Sequence, residues 1–157
     1  IQPHISGRKI HLKGQISLGV CQDICIPHTI KFNTTLPADQ NMLGTKIKTA
    51  LRQQPKTALA AGLRARRCSF SPAPNGLMLK VTLDMPSTGT PEHVVIETSN
   101  PLIWADPPTV SRTGKILSLQ TLLTHSAGQP FALTRNSIRI TVLGSDHAVD
   151  INGCTEG

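Results

Sequence analysis

The sequence predicts an all-β fold, a β-sandwich preceded by a partial β unit, with one short connecting helix. Three observations predict it. Apolar residues recur with a period of two over several short segments, which is the repeat of a half-buried strand. Gly, Pro and Asn turn signals separate these segments at the spacing typical of sandwiches. Only one stretch places its apolar residues three or four apart.

The first element is a hairpin. Ile10, Leu12, Ile16, Leu18 and Val20 fall on even positions, and so do Ile26, Ile30, Phe32 and Leu36 after the segment Cys21-Gln22-Asp23-Ile24-Cys25-Ile26-Pro27. Two half-buried strands with a cysteine-bearing turn between them follow from that pattern. Pro37 ends the unit, and Ala38-Asp39-Gln40-Asn41 reads as loop. From about Leu43 to Gln54 the apolar positions Leu43, Ile47, Ala50 and Leu51 predict a helix, stopped by Pro55. Thr57 to Gly62 is an Ala-rich connector.

From Leu63 onward the pattern is strands and turns. Leu77, Leu79, Val81 and Leu83 alternate after Pro74-Asn75-Gly76, and Val94 and Ile96 after Gly89-Thr90-Pro91. Ile116 to Leu123 is an apolar run after Thr113-Gly114. Ile138, Ile140 and Val142 alternate, and Gly144-Ser145-Asp146 turns the chain into Val149 and Ile151. The expected organisation is therefore a partial β unit over 1–37, a helical linker over 38–62 and a sandwich over 63–157. Two strands alone are marginal in water, so the first unit is expected either to belong with further strands or to pack on the second.

Composition narrows the function. Hydrophobic residues make up 38% of the 157 and aromatics 3%, with no Tyr. The core is expected to be aliphatic, with Phe32, Phe70, Trp104 and Phe131 as its few large anchors. No apolar run approaches the roughly 18 to 20 residues of a membrane span. The chain opens at Ile1 with neither an initiator Met nor a signal segment, and it reads as a piece of a longer polypeptide. A net charge of +7 raises anionic partners. Yet only Arg64-Ala65-Arg66-Arg67 is a tight basic cluster, without the interleaved aromatics a base-stacking surface needs. Specific nucleic-acid binding is not expected.

The chemistry lies in the cysteines. Four are present: Cys21 and Cys25 close together, Cys68 and Cys154 far apart. An even count in a chain of short strands with 12 Pro and 12 Gly fits an oxidising compartment. Three pairings are open; local spacing favours Cys21 with Cys25, which leaves Cys68 with Cys154 as a structural bridge tying the ends of the sandwich. Thiol–disulfide exchange needs an accessible sulfur and a second one nearby to resolve a mixed disulfide. Cys21 and Cys25 meet the second condition by spacing. Pro27 holds Ile26 extended. Asp23 would raise the thiol pKa values, and His28 or Lys31 would lower them if close.

A second chemistry is metal binding, because Cys21, Cys25 and His28 form a C-x3-C-x2-H set suited to Cu(I). A third is a plain staple. His4, His11, His93, His125 and His147 are scattered without ligand spacing, and no phosphate or dinucleotide glycine fingerprint is present, so no cofactor is expected.

Gly19-Val20-Cys21-Gln22-Asp23-Ile24-Cys25-Ile26-Pro27 resembles the cysteine motif in the N-terminal domain of thiol:disulfide interchange proteins of the DsbD/ScsB type. Cys68-Ser69-Phe70-Ser71-Pro72, Pro101-Leu102-Ile103-Trp104 and Ile151-Asn152-Gly153-Cys154 in the second unit also look similar. The resemblance implies an immunoglobulin-like β-sandwich in the periplasm, the soluble part of a membrane protein. It implies Cys21 and Cys25 as the catalytic pair. They would take electrons from a membrane-embedded reductase domain of the same longer polypeptide and pass them to periplasmic thioredoxin-fold proteins. The chain departs from the well-studied DsbD domain in its closer cysteine spacing and in lacking aromatic residues beside the motif.

Overall fold

Strand alternation decides almost every element of this chain. A computed structural model describes residues 9–21, 24–37 and 44–157, with Cys21 described at its backbone only. The loop expected at Ala38–Asn41, the start of the expected helix at Leu43, and His4, Gln22 and Asp23 lie outside the described residues. The chain divides into two compact units, Ile1–Thr49 and Ala50–Gly157.

In the first unit β1 (Ile10–Cys21) and β2 (Cys25–Leu36) form an antiparallel two-stranded sheet. Their register is one to one along its whole length, from Ile10 opposite Leu36 to Cys21 opposite Cys25. Residues directly opposite share a face, so the even positions form one face and the odd positions the other. Phe32 lies across Gly14: a Cβ there would fall 2.5 Å from its Cζ, so the ring would have to move aside. The sequence predicts half-buried strands, and here the structure differs. Ile16, Leu18, Val20, Ile26, Ile30 and Phe32 are all exposed. A two-stranded ribbon is a single layer, and among the described residues no further strand pairs with it. Helix α1 (Thr45–Arg52) follows and carries Ile47 and Leu51, both exposed.

The second unit is a sandwich. One sheet orders as β3 (Lys56–Thr57), β11 (Ala148–Asn152), β10 (Ile138–Leu143) and β6 (His93–Thr98). The other orders as β12 (Thr155–Glu156), β4 (Ala65–Ala73), β5 (Gly76–Asp84) and β9 (Ile116–His125). Two short strands, β7 (Ile103–Ala105) and β8 (Thr109–Thr113), share the far side of β9. The fold is all-β and immunoglobulin-like, with one short α-helix among the described residues.

The core is built by period-two alternation from both sheets. Leu79, Val81, Leu83, Leu117, Leu119 and Leu123 project from one, and Val94, Ile96, Ile138, Ile140, Val142, Val149 and Ile151 from the other. Each such side chain contributes roughly 1.5–3 kcal/mol when fully buried. Thr121 interrupts the leucines of β9, and its hydroxyl donates to the Asp106 carbonyl at 2.6 Å, which removes the cost of burying it. The aromatic anchors need correcting. Phe70 and Phe131 are half-buried and pack on the core, whereas Trp104 is 65% exposed. Ile103 precedes it on a three-residue strand and takes the inward position, so alternation turns Trp104 out.

Cys68 and Cys154 form a disulfide with a Cα–Cα distance of 5.8 Å. Both are buried, at 2% and 6% exposure. Gly153, at φ +70°, makes the turn that delivers Cys154 to β4, and its N–H donates to the Ile138 carbonyl at 2.8 Å. This left-handed backbone is open to glycine at no steric cost.

A polar knot closes one corner of the sandwich. The Glu92 carboxylate accepts from the Arg112 guanidinium through two nitrogens, Nε and Nη2, and from both the N–H and the hydroxyl of Thr88. Arg112 Nη1 also donates to the Met85 carbonyl at 3.0 Å. Burial pushes the Glu92 carboxyl up, but the bonds from Arg112 and Thr88 together outweigh it and hold the group below the ordinary glutamate range.

Candidate functional site

The hairpin end gathers the chemistry. β1 stops at Cys21 and β2 starts at Cys25, so residues 22–24 alone join them. Directly opposite residues of an antiparallel pair have Cα atoms about 4.5–5.5 Å apart. A disulfide spans Cα atoms about 4.4–6.8 Å apart, so the register puts the Cys21 and Cys25 backbones at bonding range. Cys25 is disulfide-bonded and exposed.

Alternation then sorts the neighbours. Cys25 shares its face with Pro27, Thr29 and Lys31, opposite Gly19, Ser17 and Gln15. The face carrying Cys25 is therefore low and polar next to the cysteine. Further down the same face, His11 Nδ1 and Thr35 Oγ1 share a hydrogen bond of 2.6 Å. The opposite face carries Val20 against Ile26, Leu18 against His28 and Ile16 against Ile30. Pro27 lies opposite Gly19, and in a two-stranded sheet both strands are edges, where a missing N–H is tolerated.

Two expectations change with this geometry. His28 follows Cys25 by three positions, an odd step, so it lies on the apolar face across from Leu18. The structure does not bring Cys25 and His28 onto one face as a ligand set needs. Among the described residues no group of three His, Cys, Asp or Glu is placed to hold a metal ion. Lys31 does share the face of Cys25, but six strand residues away, about 20 Å at strand rise. That exceeds the ~8–10 Å reach of a screened charge.

Elsewhere, His125 stacks obliquely on Phe131 with ring centroids 6.3 Å apart, a packing role. Arg64 and Arg67 are exposed and Arg66 half-buried at the start of β4. The spacing argument did not single out Val20, Ile24 and Ile26 as site residues. They are 61%, 73% and 60% exposed around the cysteine end. Their signal was the even-position repeat itself, which reads equally well as a core-facing edge.

No family model matches the chain, and no curated protein matches its sequence. Among solved structures, the crystal structure of the N-terminal periplasmic domain of ScsB from Proteus mirabilis superposes with a TM-score of 0.67 at 16% sequence identity. The match covers 94% of this chain and 58% of that one. This chain has the ScsB N-terminal domain fold. The likeness spans both units, hairpin and sandwich, since only 6% of the chain falls outside it, which is fewer residues than the hairpin contains. The ScsB domain is longer, so the present chain corresponds to little more than half of it.

Proposed function

We propose that this chain is a periplasmic thiol–disulfide interchange module of the DsbD/ScsB type that works through Cys21 and Cys25. The observation that carries the proposal is the register: two cysteines directly opposite at the turn end of an exposed hairpin. The ScsB fold supports the same reading.

In the reduced state a thiolate of the pair attacks a disulfide of the partner. A mixed disulfide forms, one partner sulfur leaves as thiolate, and the partner's own S–S bond is broken. The second cysteine then attacks the mixed disulfide, completing its own bond and releasing the partner's remaining thiolate. Two electrons and two protons pass to the partner, and the Cys21/Cys25 pair ends oxidised. A dithiol donor must reverse that, and in our reading it is a membrane-embedded reductase domain of the same longer polypeptide. The acceptors are thioredoxin-fold proteins of the periplasm. The small residues on the face of Cys25, namely Gly19, Ser17 and Pro27, crowd it little, and Cys25 is exposed.

The test is the rate of reduction of 2-hydroxyethyl disulfide by the pre-reduced chain and by its Cys21→Ser/Cys25→Ser form. The expected result is loss of all exchange, with circular dichroism unchanged. An unchanged rate in the double variant would overturn the proposal.

A further inference from the structure

Within the second unit, the connection from β3 to β4 holds one apolar side chain out of the sandwich. The N–H groups of Ala61, Gly62 and Leu63 donate to the carbonyls of Thr57, Leu59 and Ala58, each at 3.0 Å. Ala58, Ala61 and Leu63 pack against the core. Leu59 does not: it is 89% exposed, more than any other large apolar side chain among the described residues. Hydrogen bonds across the turn fix its position, so this exposure belongs to the fold and not to a loose end.

Leu59 lines a groove of about 440 Å³ together with Arg64, Arg66 and Arg67. Arg66 is half-buried there and the other two are exposed. Other arginines of the sandwich are neutralised: Arg112 by Glu92, Arg135 by Glu156, and Arg139 by Asp150 and Glu97. The three guanidinium groups of the groove have neither a carboxylate nor any hydrogen-bond acceptor among the described residues. Two carboxylates register with β4, Asp84 opposite Ala65 and Glu156 opposite Cys68. Glu156 is taken by Arg135 at 3.1 Å, and Asp84 makes no ion pair. No described Asp or Glu lines the groove. Guanidinium groups left unpaired in one groove form a site for an anion, with a geometry that suits carboxylate or phosphate.

Leu59 decides between the anionic partners. An acidic peptide satisfies the arginines and leaves Leu59 in water. A phospholipid surface presents phosphates at headgroup depth with hydrocarbon directly beneath, so it accommodates both. Nucleic acid is disfavoured because no aromatic side chain lines the groove for a base to stack on. We infer that this groove docks the sandwich on an anionic phospholipid surface, with Arg64, Arg66 and Arg67 on the lipid phosphates and Leu59 at the headgroup–acyl boundary. With one inserted side chain and three charges, the contact is weak and reversible. It goes beyond the cysteine chemistry and does not depend on it.

The experiment is co-sedimentation of the full chain with phosphatidylcholine vesicles containing about one-third phosphatidylglycerol, and with pure phosphatidylcholine vesicles. Binding to the anionic vesicles is expected, at least about tenfold weaker on pure phosphatidylcholine or in about 0.5 M NaCl. Arg67→Gln should weaken it about fivefold and Arg64→Gln/Arg67→Gln about thirtyfold. Arg139→Gln removes the same single charge, but from an arginine already paired on the other sheet, and should change binding less than about twofold. Leu59→Ser should weaken it about tenfold. Cys21→Ser/Cys25→Ser should bind as the parent chain does, so failure here leaves the exchange reading standing. Absence of binding to the anionic vesicles, equal losses in Arg67→Gln and Arg139→Gln, or undiminished binding of Leu59→Ser would overturn the inference. Undiminished Leu59→Ser binding together with saturable binding of poly-L-glutamate would assign the groove to an acidic polypeptide instead.

Discussion

The two cysteine sites of this chain sit in opposite surroundings. Cys68 and Cys154 are 86 residues apart in sequence, and their bond lies inside the sandwich core. Cys25 is exposed on a ribbon whose apolar side chains are themselves exposed. The same covalent chemistry thus serves two ends. A buried bridge that closes a long loop stabilises chiefly by restricting the unfolded chain, and no external thiol reaches it without local opening. An exposed cysteine at a three-residue bend closes almost no loop, so its bond restricts the unfolded chain little. Position in the fold, more than spacing, separates a cysteine sealed in a core from one exposed to solvent.

Three experiments break or sharpen that contrast. The largest difference is kinetic. Opening a domain of ordinary stability costs at least about 5 kcal/mol, so dithiothreitol should reduce the disulfide of Cys25 at least ~10³-fold faster than the Cys68–Cys154 bond. Timed alkylation and peptide mass spectrometry read both rates in one sample, and comparable rates would remove the distinction. Next in size is the bridge itself. Cys68→Ala/Cys154→Ala should lower stability by about 4 kcal/mol in urea, within the range for a loop of this length, whereas Cys25→Ser should move the midpoint of the sandwich very little. The third concerns packing. Ile140, fully buried in β10, should cost about 3–4 kcal/mol on truncation to Ala. Ile30, exposed at the same strand periodicity, should cost under about 1 kcal/mol. Equal losses would mean that the ribbon's apolar face is buried in solution.

This last pair also shows what the sequence made legible. Period two located β1, β2, β5, β6 and β10, and an apolar run located β9. It could not say whether an alternating face is covered, since Ile30 and Ile140 follow one pattern and meet different neighbours. Two-residue strands such as β3 and β12 carry no period at all. They exist through parallel pairing with β11 and β4, which only the assembled sheet supplies. Trp104 was misplaced because large aromatic size was weighed above strand parity. At the candidate site, the even-position repeat ran through Val20, Ile26 and His28 in plain view. The copper set of Cys21, Cys25 and His28 looked plausible only while spacing was counted along the chain. Strand parity, applied once β2 is seen to run unbroken from Cys25, separates His28 from Cys25. The Glu92–Arg112 knot was invisible, since its partners are 20 residues apart and no local pattern links them.

That knot gives the smallest effect and divides the two units by pH. Glu92 is 7% exposed at its side chain and Arg112 18%, and the bonds from Arg112 and Thr88 leave the carboxyl below its ordinary value in the folded state despite the opposing push of burial. A depressed folded value means that the folded state holds its proton less tightly than the unfolded chain does. The stabilisation is therefore complete above the ordinary glutamate range and is lost as pH falls through that range toward the lower folded value. Neither β1 nor β2 contains an Asp or Glu, so acid has no strand carboxylate to act on in the ribbon. Thermal melts between pH 6 and pH 3 should show the sandwich losing stability across that window, and Glu92→Gln should start lower and flatten the decline. Arg112→Met should cost more than Glu92→Gln at pH 7, because it strands the carboxylate, about 3 kcal/mol for breaking a largely buried pair. A sandwich whose acid profile is the same with Glu92 and with Gln at that position would place the sensitivity elsewhere, and the pH contrast between the units would then belong to other carboxylates such as Asp150, which Arg139 holds below its ordinary value on β11.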